Sequence, residues 1–200
     1  MATEKFPIKI RFKLLHVVSN ETQKLLYPVV TISLNDQVKI ENVDLGSCLD
    51  RSDNSDNEFA VVEFNVEVDD DIEKEHQIII HLVNDNHDEI FDSKVLNEET
   101  GFHEDWGLFV DDIELNEISI ESLVHTNGVI SAPLSKIEDK EDDGFIQDYL
   151  IPNNMENTLS IVDGKYWYTT NGDYVHMPNT TYIMAFKTPL YLWLLELLLQ

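Results

Sequence analysis

Apolar side chains recur at every second position along several stretches of this chain, a period that leaves little room for anything but β-structure. In residues 7–15, Ile8, Ile10, Phe12 and Leu14 fall on one side and Lys9, Arg11 and Lys13 on the other. A half-buried strand has this period, and the basic side suits a solvent face or a sheet edge. Residues 58–68 continue the theme through Phe64, Val66 and Val68. Residues 76–84 carry Ile78, Ile79, Ile80, Leu82 and Val83, apolar on both sides, which predicts a central strand. The stretch 106–120 breaks parity: Leu108 and Val110 share one side, Ile113 and Leu115 the other. Side chains alternate strictly along a strand, so a bulge or bend near Asp111 and Asp112 is needed to keep both pairs on one face.

Turn chemistry separates these runs. Residues 27–34 and 37–43 flank Asn35-Asp36, a pair that tolerates positive φ, and predict a hairpin. Asn116-Glu117 turns the chain into 118–124. Residues 44–57 are rich in Asp, Ser and Asn and predict a long solvated loop. They fail the EF-hand pattern, lacking its central Gly and its closing Glu. In 158–186, Asp163-Gly164 and Asn171-Gly172 punctuate short strand-like runs and predict a β-meander. There Tyr166, Trp167, Tyr168 and Tyr174 read as a cross-strand aromatic ladder or a glycan-binding patch.

The chain closes on Thr188-Pro189 and LYLWLLELLLQ, with Thr188 placed to cap a short helix and Pro189 in its first position. That helix is apolar all round except for Glu196, so it must be buried, either on its own domain or in a neighbouring subunit. The expected fold is all-β, a jelly-roll-like β-sandwich with a C-terminal β-meander extension and a short apolar terminal helix. The expected division is 1–124 for the sandwich, 125–157 for an acidic connector broken by Gly and Pro, and 158–200 for the meander and an apolar docking segment.

Charge narrows the partners. The chain carries 39 acidic against 13 basic residues, a formal net charge of −26, yet at 42% hydrophobic it buries a core. Phosphate backbones and anionic membrane surfaces are repelled, so neither nucleic acid nor membrane is expected as a partner. Cations, neutral sugars and basic protein surfaces remain. Cys48 is the single cysteine, so no intrachain disulfide forms. No secretory leader is legible in MATEKFPIKIRFKLL, and no run reaches the roughly 18 apolar residues of a membrane helix. The expected setting is a virion or other assembled particle, otherwise the cytoplasm. Histidines such as His81, His87 and His103 lack zinc-ligand spacing. No nucleophile elbow, phosphate loop or dinucleotide fingerprint is present, so catalysis is not expected.

One stretch gathers chemistry. Between the apolar runs at 76–84 and 106–120 lie Asp85, Asp88, Glu89, Asp92, Glu98, Glu99, Glu104 and Asp105. Oxygen donors collected between two strands suit a hard cation such as Ca2+, which takes about six to eight oxygens. Trp106 follows directly, placed either to stack on a sugar ring or to close the core.

The run Leu82-Val83-Asn84-Asp85, the acidic loop, and then Asp105-Trp106-Gly107-Leu108-Phe109-Val110-Asp111-Asp112-Ile113-Glu114-Leu115-Asn116 resembles the end of the calcium-dependent xylan-binding carbohydrate-binding modules. The parity break falls where that pattern has its own. It departs at Asp112, where the family has Gly, and at Asn116-Glu117, where the family closes with Asp-Gly. The resemblance implies a jelly-roll-like sandwich, calcium held by loop carboxylates and backbone carbonyls, and sugar hydroxyls completing the coordination. It maps Asp85 and Asp105 onto acidic ligand positions and the Trp106 carbonyl toward the metal. Asp88 and Glu104 join the metal set by chemistry and position, and Asn84, His87 and Trp106 form the carbohydrate-binding set. The expected function is non-catalytic, calcium-dependent carbohydrate recognition as part of a larger particle. The alternative is a structural, decoration or tail-associated subunit of a bacteriophage virion without sugar binding, held to other subunits through residues 189–200.

Overall fold

The structure is a computed structural model that describes residues 5–15, 17–18, 25–52, 58–69, 71–83, 107–134, 158–162, 165–172, 174–175 and 180–199. The strands among them are β1 (Lys5–Leu15), β2 (Val17–Val18), β3 (Leu25–Leu26), β4 (Val29–Leu34), β5 (Gln37–Asp44), β6 (Phe59–Glu67) and β7 (Lys74–Val83). They continue as β8 (Gly107–Leu115), β9 (Ile118–Ser119), β10 (Val129–Leu134), β11 (Thr158–Val162), β12 (Lys165–Asn171), β13 (Tyr174–Val175) and β14 (Thr181–Thr188). Two helices accompany them, α1 (Glu121–Asn127) and α2 (Leu190–Leu198). The result is an all-β sandwich. One antiparallel sheet runs β13-β8-β1-β6, with β9 also on β8, and the other runs β11-β12-β10-β14-β7-β4-β5. A short β2–β3 ribbon stands apart.

The two-residue period explains the packing. Phe6, Ile8, Ile10, Phe12 and Leu14 of β1 turn inward with Val62, Phe64 and Val66 of β6, while Lys9, Arg11 and Lys13 line the outer face. β1 is flanked by β6 and β8, so its basic side faces solvent and does not form an edge. Facing it across the core are Val30 and Ile32 of β4, Ile78, Ile80 and Leu82 of β7, and Tyr182, Met184 and Phe186 of β14. β7 is central, between β14 and β4, as its apolar run predicts. The parity break in β8 is a bulge: Arg11 pairs with Asp112 but Phe12 pairs with Val110, leaving Asp111 as the extra residue. Leu108, Val110, Ile113 and Leu115 are all buried on one face as a result.

Both hairpin turns use positive φ. Asn35 takes φ 53°, and Asn116 and Glu117 take 48° and 67°, so Leu115 pairs back onto Ile118. A non-glycine residue at such a φ is strained, and Glu117 is the less suited of the two. The strand after that turn ends at Ser119, and Ile120 leads into α1. Its register sends Ile120 and Val124 into the core, and the Ser119 Oγ accepts from the Glu121 amide at 3.4 Å.

Four expectations need correction. The polar stretch 44–57 is anchored at its start, where Leu45–Cys48 forms a 3-10 turn with the Asp44 carboxylate accepting from the Gly46 amide at 2.8 Å. Leu45 is fully buried there, and the Asp50 amide donates to the Phe59 carbonyl at 2.7 Å. The meander over 158–186 is realised only in its first hairpin, β11–β12. β13 pairs with β8 in the opposite sheet, and β14 lies between β10 and β7, where its apolar side chains complete the core. The register pairs none of the four aromatics with another: Tyr166, Trp167 and Tyr168 lie opposite Ile161, Ser160 and Leu159, and Tyr174 opposite Phe109.

Finally, Thr188 does not cap α2. Its hydroxyl donates to the Ile72 carbonyl at 2.7 Å, and the N-cap position is Pro189. α2 docks on its own sandwich through Leu190 and Trp193, with Leu194 and Leu197 partly buried, a stripe at helical spacing. Trp193 packs against Phe186 at 6.4 Å between ring centroids. The opposite side remains exposed: Tyr191 67%, Leu192 54%, Leu198 82% and Leu199 86%. No helix of the described residues is long and apolar enough to cross a membrane.

Buried His76 sits beside this junction. Its ring stacks on Phe186 at 5.1 Å, its Nδ1 faces the Asn35 amide group at 3.5 Å, and its Nε2 faces the Thr188 hydroxyl at 3.4 Å. Asn35 can only donate through Nδ2, and the Thr188 proton goes to Ile72, so the network favours the neutral Nε2–H tautomer. Burial, then the nearby Lys74 charge, holds the His76 pKa below its ordinary value, and burial does the same to His81. The unfolded chain thus takes up protons at higher pH than the folded one. The stabilisation is present above about pH 6.5 and is lost as pH falls toward the folded values. Stability is expected to drop between about pH 7.5 and about pH 5.5, with a shallower drop in His76→Gln. Denaturant titrations of both chains at the two pH values check this, and equal slopes would contradict it.

Candidate functional site

The metal and carbohydrate residues expected from the sequence, Asn84, Asp85, His87, Asp88, Glu104, Asp105 and Trp106, lie outside the described residues. The structure does show what holds the segment that carries them. It leaves β7 after Val83, which pairs with Val29 in one sheet. It enters β8 at Gly107, which pairs with Leu15 in the other. Both anchors are bounded by fully buried side chains, Leu82 and Leu108. The Leu82 amide also donates to the Thr180 carbonyl at 2.9 Å, tying β7 to the start of β14. Residues 84–106 therefore connect the two sheets at one end of the sandwich, between ends that core packing fixes. Among the described residues no group of three or more His, Cys, Asp or Glu side chains is arranged to hold a metal.

A second feature runs along the outer face of the β6–β1–β8 layer. Lys9 donates to Glu114 at 2.7 Å, a pair in which hydrogen bonding holds the lysine pKa above its ordinary value. The Arg11 Nε lies 3.5 Å from the Asp111 carboxylate, and its guanidinium stacks 3.9 Å over the Phe59 ring. Lys13 stands 5.9 Å over the Phe109 ring. Beside it opens a cavity of about 210 Å3 lined, among the described residues, by Lys13, Phe109, Asp111 and His125. Sequence alone marks Lys13 as outward-facing, but Phe109 and His125 come from β8 and α1, and only the pairing of β8 on β1 brings them together.

The chain matches no family model, and no curated protein or solved structure matches it.

Proposed function

We propose that this chain is a non-catalytic binding module that holds Ca2+ on residues 84–106 and uses it to engage a polysaccharide or other glycan, as a component of a larger particle. The observation that carries this reading is the placement of the segment's ends. A run dense in carboxylates, flanked by strands of opposite sheets, has its entry and exit held by buried residues on both sides. Preorganised ends lower the entropy cost of gathering ligands around a hard cation. In this reading Asp85, Asp88, Glu104 and Asp105 supply carboxylate oxygens and Trp106 its carbonyl. Asn84, His87 and the Trp106 ring meet the sugar. The similarity to calcium-dependent xylan-binding modules over residues 82–116 supports the same assignment.

Asp105→Ala is expected to abolish retention on an insoluble xylan column in calcium buffer, and chelator is expected to do the same to the unaltered chain. Retention that survives chelator would refute the calcium role.

A second reading is favoured by a separate observation, the exposed side of α2, where Tyr191, Leu192, Leu195, Leu198 and Leu199 face outward. Side chains of this kind on one helix face suit an interface with other protein subunits. In that reading the chain is a structural, decoration or tail-associated subunit of a bacteriophage virion, joined through residues 189–200, without sugar binding.

A further inference from the structure

We propose that the cavity lined by Lys13, Phe109, Asp111 and His125 binds a small monocarboxylate bearing hydroxyl groups, the chemistry of an acidic sugar unit, without calcium. With 39 acidic residues to 13 basic ones, a cation on this surface has carboxylates in excess to pair with. Lys9 and Arg11 do pair, with Glu114 and Asp111. Lys13, next on the same face of β1, has no carboxylate partner among the described residues and is half-buried beside the cavity.

The walls divide the chemistry. The Lys13 ammonium attracts a carboxylate, and partial burial strengthens that attraction over what bulk water allows. The Phe109 ring, beside the Lys13 ammonium, gives the cavity an apolar wall for the carbon face of a sugar. Asp111 accepts hydrogen bonds from hydroxyls. It is present on this face because the β8 bulge inserts it there, and Arg11 holds it. The Asp111 charge also works against a second negative charge, so a monoanion is preferred to inorganic phosphate. His125 of α1 lines the cavity as well. The four residues named lie outside 84–106 and the proposed binding needs no calcium, so its failure leaves the proposed function untouched, and the reverse holds.

The test is an amide NMR titration of the full chain in chelator, with D-glucuronate as probe and D-glucose and inorganic phosphate as comparisons. Saturable shifts confined to the amides around Lys13, Phe109, Asp111 and His125 are expected with glucuronate, weaker ones with phosphate, and none with glucose. Lys13→Gln is expected to weaken glucuronate binding about tenfold, as loss of one charge-assisted contact would, while Lys13→Arg stays within about threefold. Equal response to glucose, tighter binding of phosphate, or full affinity in Lys13→Gln would overturn the assignment.

Discussion

Phe186→Ala is expected to lower the unfolding free energy by about 3–5 kcal/mol, the range for deleting a buried aromatic side chain. Phe186 is fully buried at the meeting point of both sheets and α2. Its ring stacks on Phe6 of the opposite sheet at 6.1 Å, on His76 at 5.1 Å, and against Trp193 at 6.4 Å. Truncation removes three ring contacts at once, and β14, paired with β7 along its whole length, resists collapse into the space. Since domains are stable by only about 5–15 kcal/mol, this one change removes a large share of the total. A urea titration of the variant measures it. A loss below about 1 kcal/mol would mean that the strand near the C-terminus does not contribute to the core, because surface positions cost that little.

That strand also marks the boundary of what the sequence reveals. Local periodicity placed β1, β6 and β7 correctly, since burial of one face writes itself into every second residue. The parity break at Asp111-Asp112 located a bulge for the same reason, because no straight strand buries both Val110 and Ile113. Pairing between distant strands is another matter. Nothing in TTYIMAF says that Tyr182 will lie opposite Ile80, more than a hundred positions upstream, so β14 read as part of a local meander. Leu45 was hidden by polar neighbours, although the turn that buries it is held by Asp44.

Tyr182 shows the same limit from the side of packing. Its hydroxyl donates to the Val124 carbonyl at 3.2 Å while its ring passes over Gly128, where any Cβ would collide with it. Gly128 falls in the stretch that the sequence reads as a connector, and the space above it admits a ring from β14. The position of Thr188 before Pro189 predicts a helix cap, whereas the carbonyl it satisfies belongs to Ile72 in a different part of the chain. The candidate metal segment is legible by composition, and its two ends belong to different sheets because β7 and β8 do. The cavity at Lys13 was not legible, since its walls come from three elements joined only by tertiary pairing.

The calcium claim carries the second large expected effect. A cation that binds only the folded chain stabilises it by mass action, by about 2.7 kcal/mol at a hundredfold excess over Kd. For a chain of this length that is a rise of roughly 5–10 °C in the thermal midpoint. A net charge of −26 introduces a competing effect, because any divalent ion screens self-repulsion and stabilises a little without a site. Mg2+ separates the two: it screens equally well, but it demands tighter octahedral geometry and gives up its water reluctantly. The decisive measurement is therefore scanning calorimetry in Ca2+, in Mg2+ and in chelator, on the unaltered chain and on Asp105→Ala. A midpoint raised by Ca2+ well beyond Mg2+, with that excess absent in Asp105→Ala, is the predicted result. Coincident midpoints in Ca2+ and chelator would contradict it.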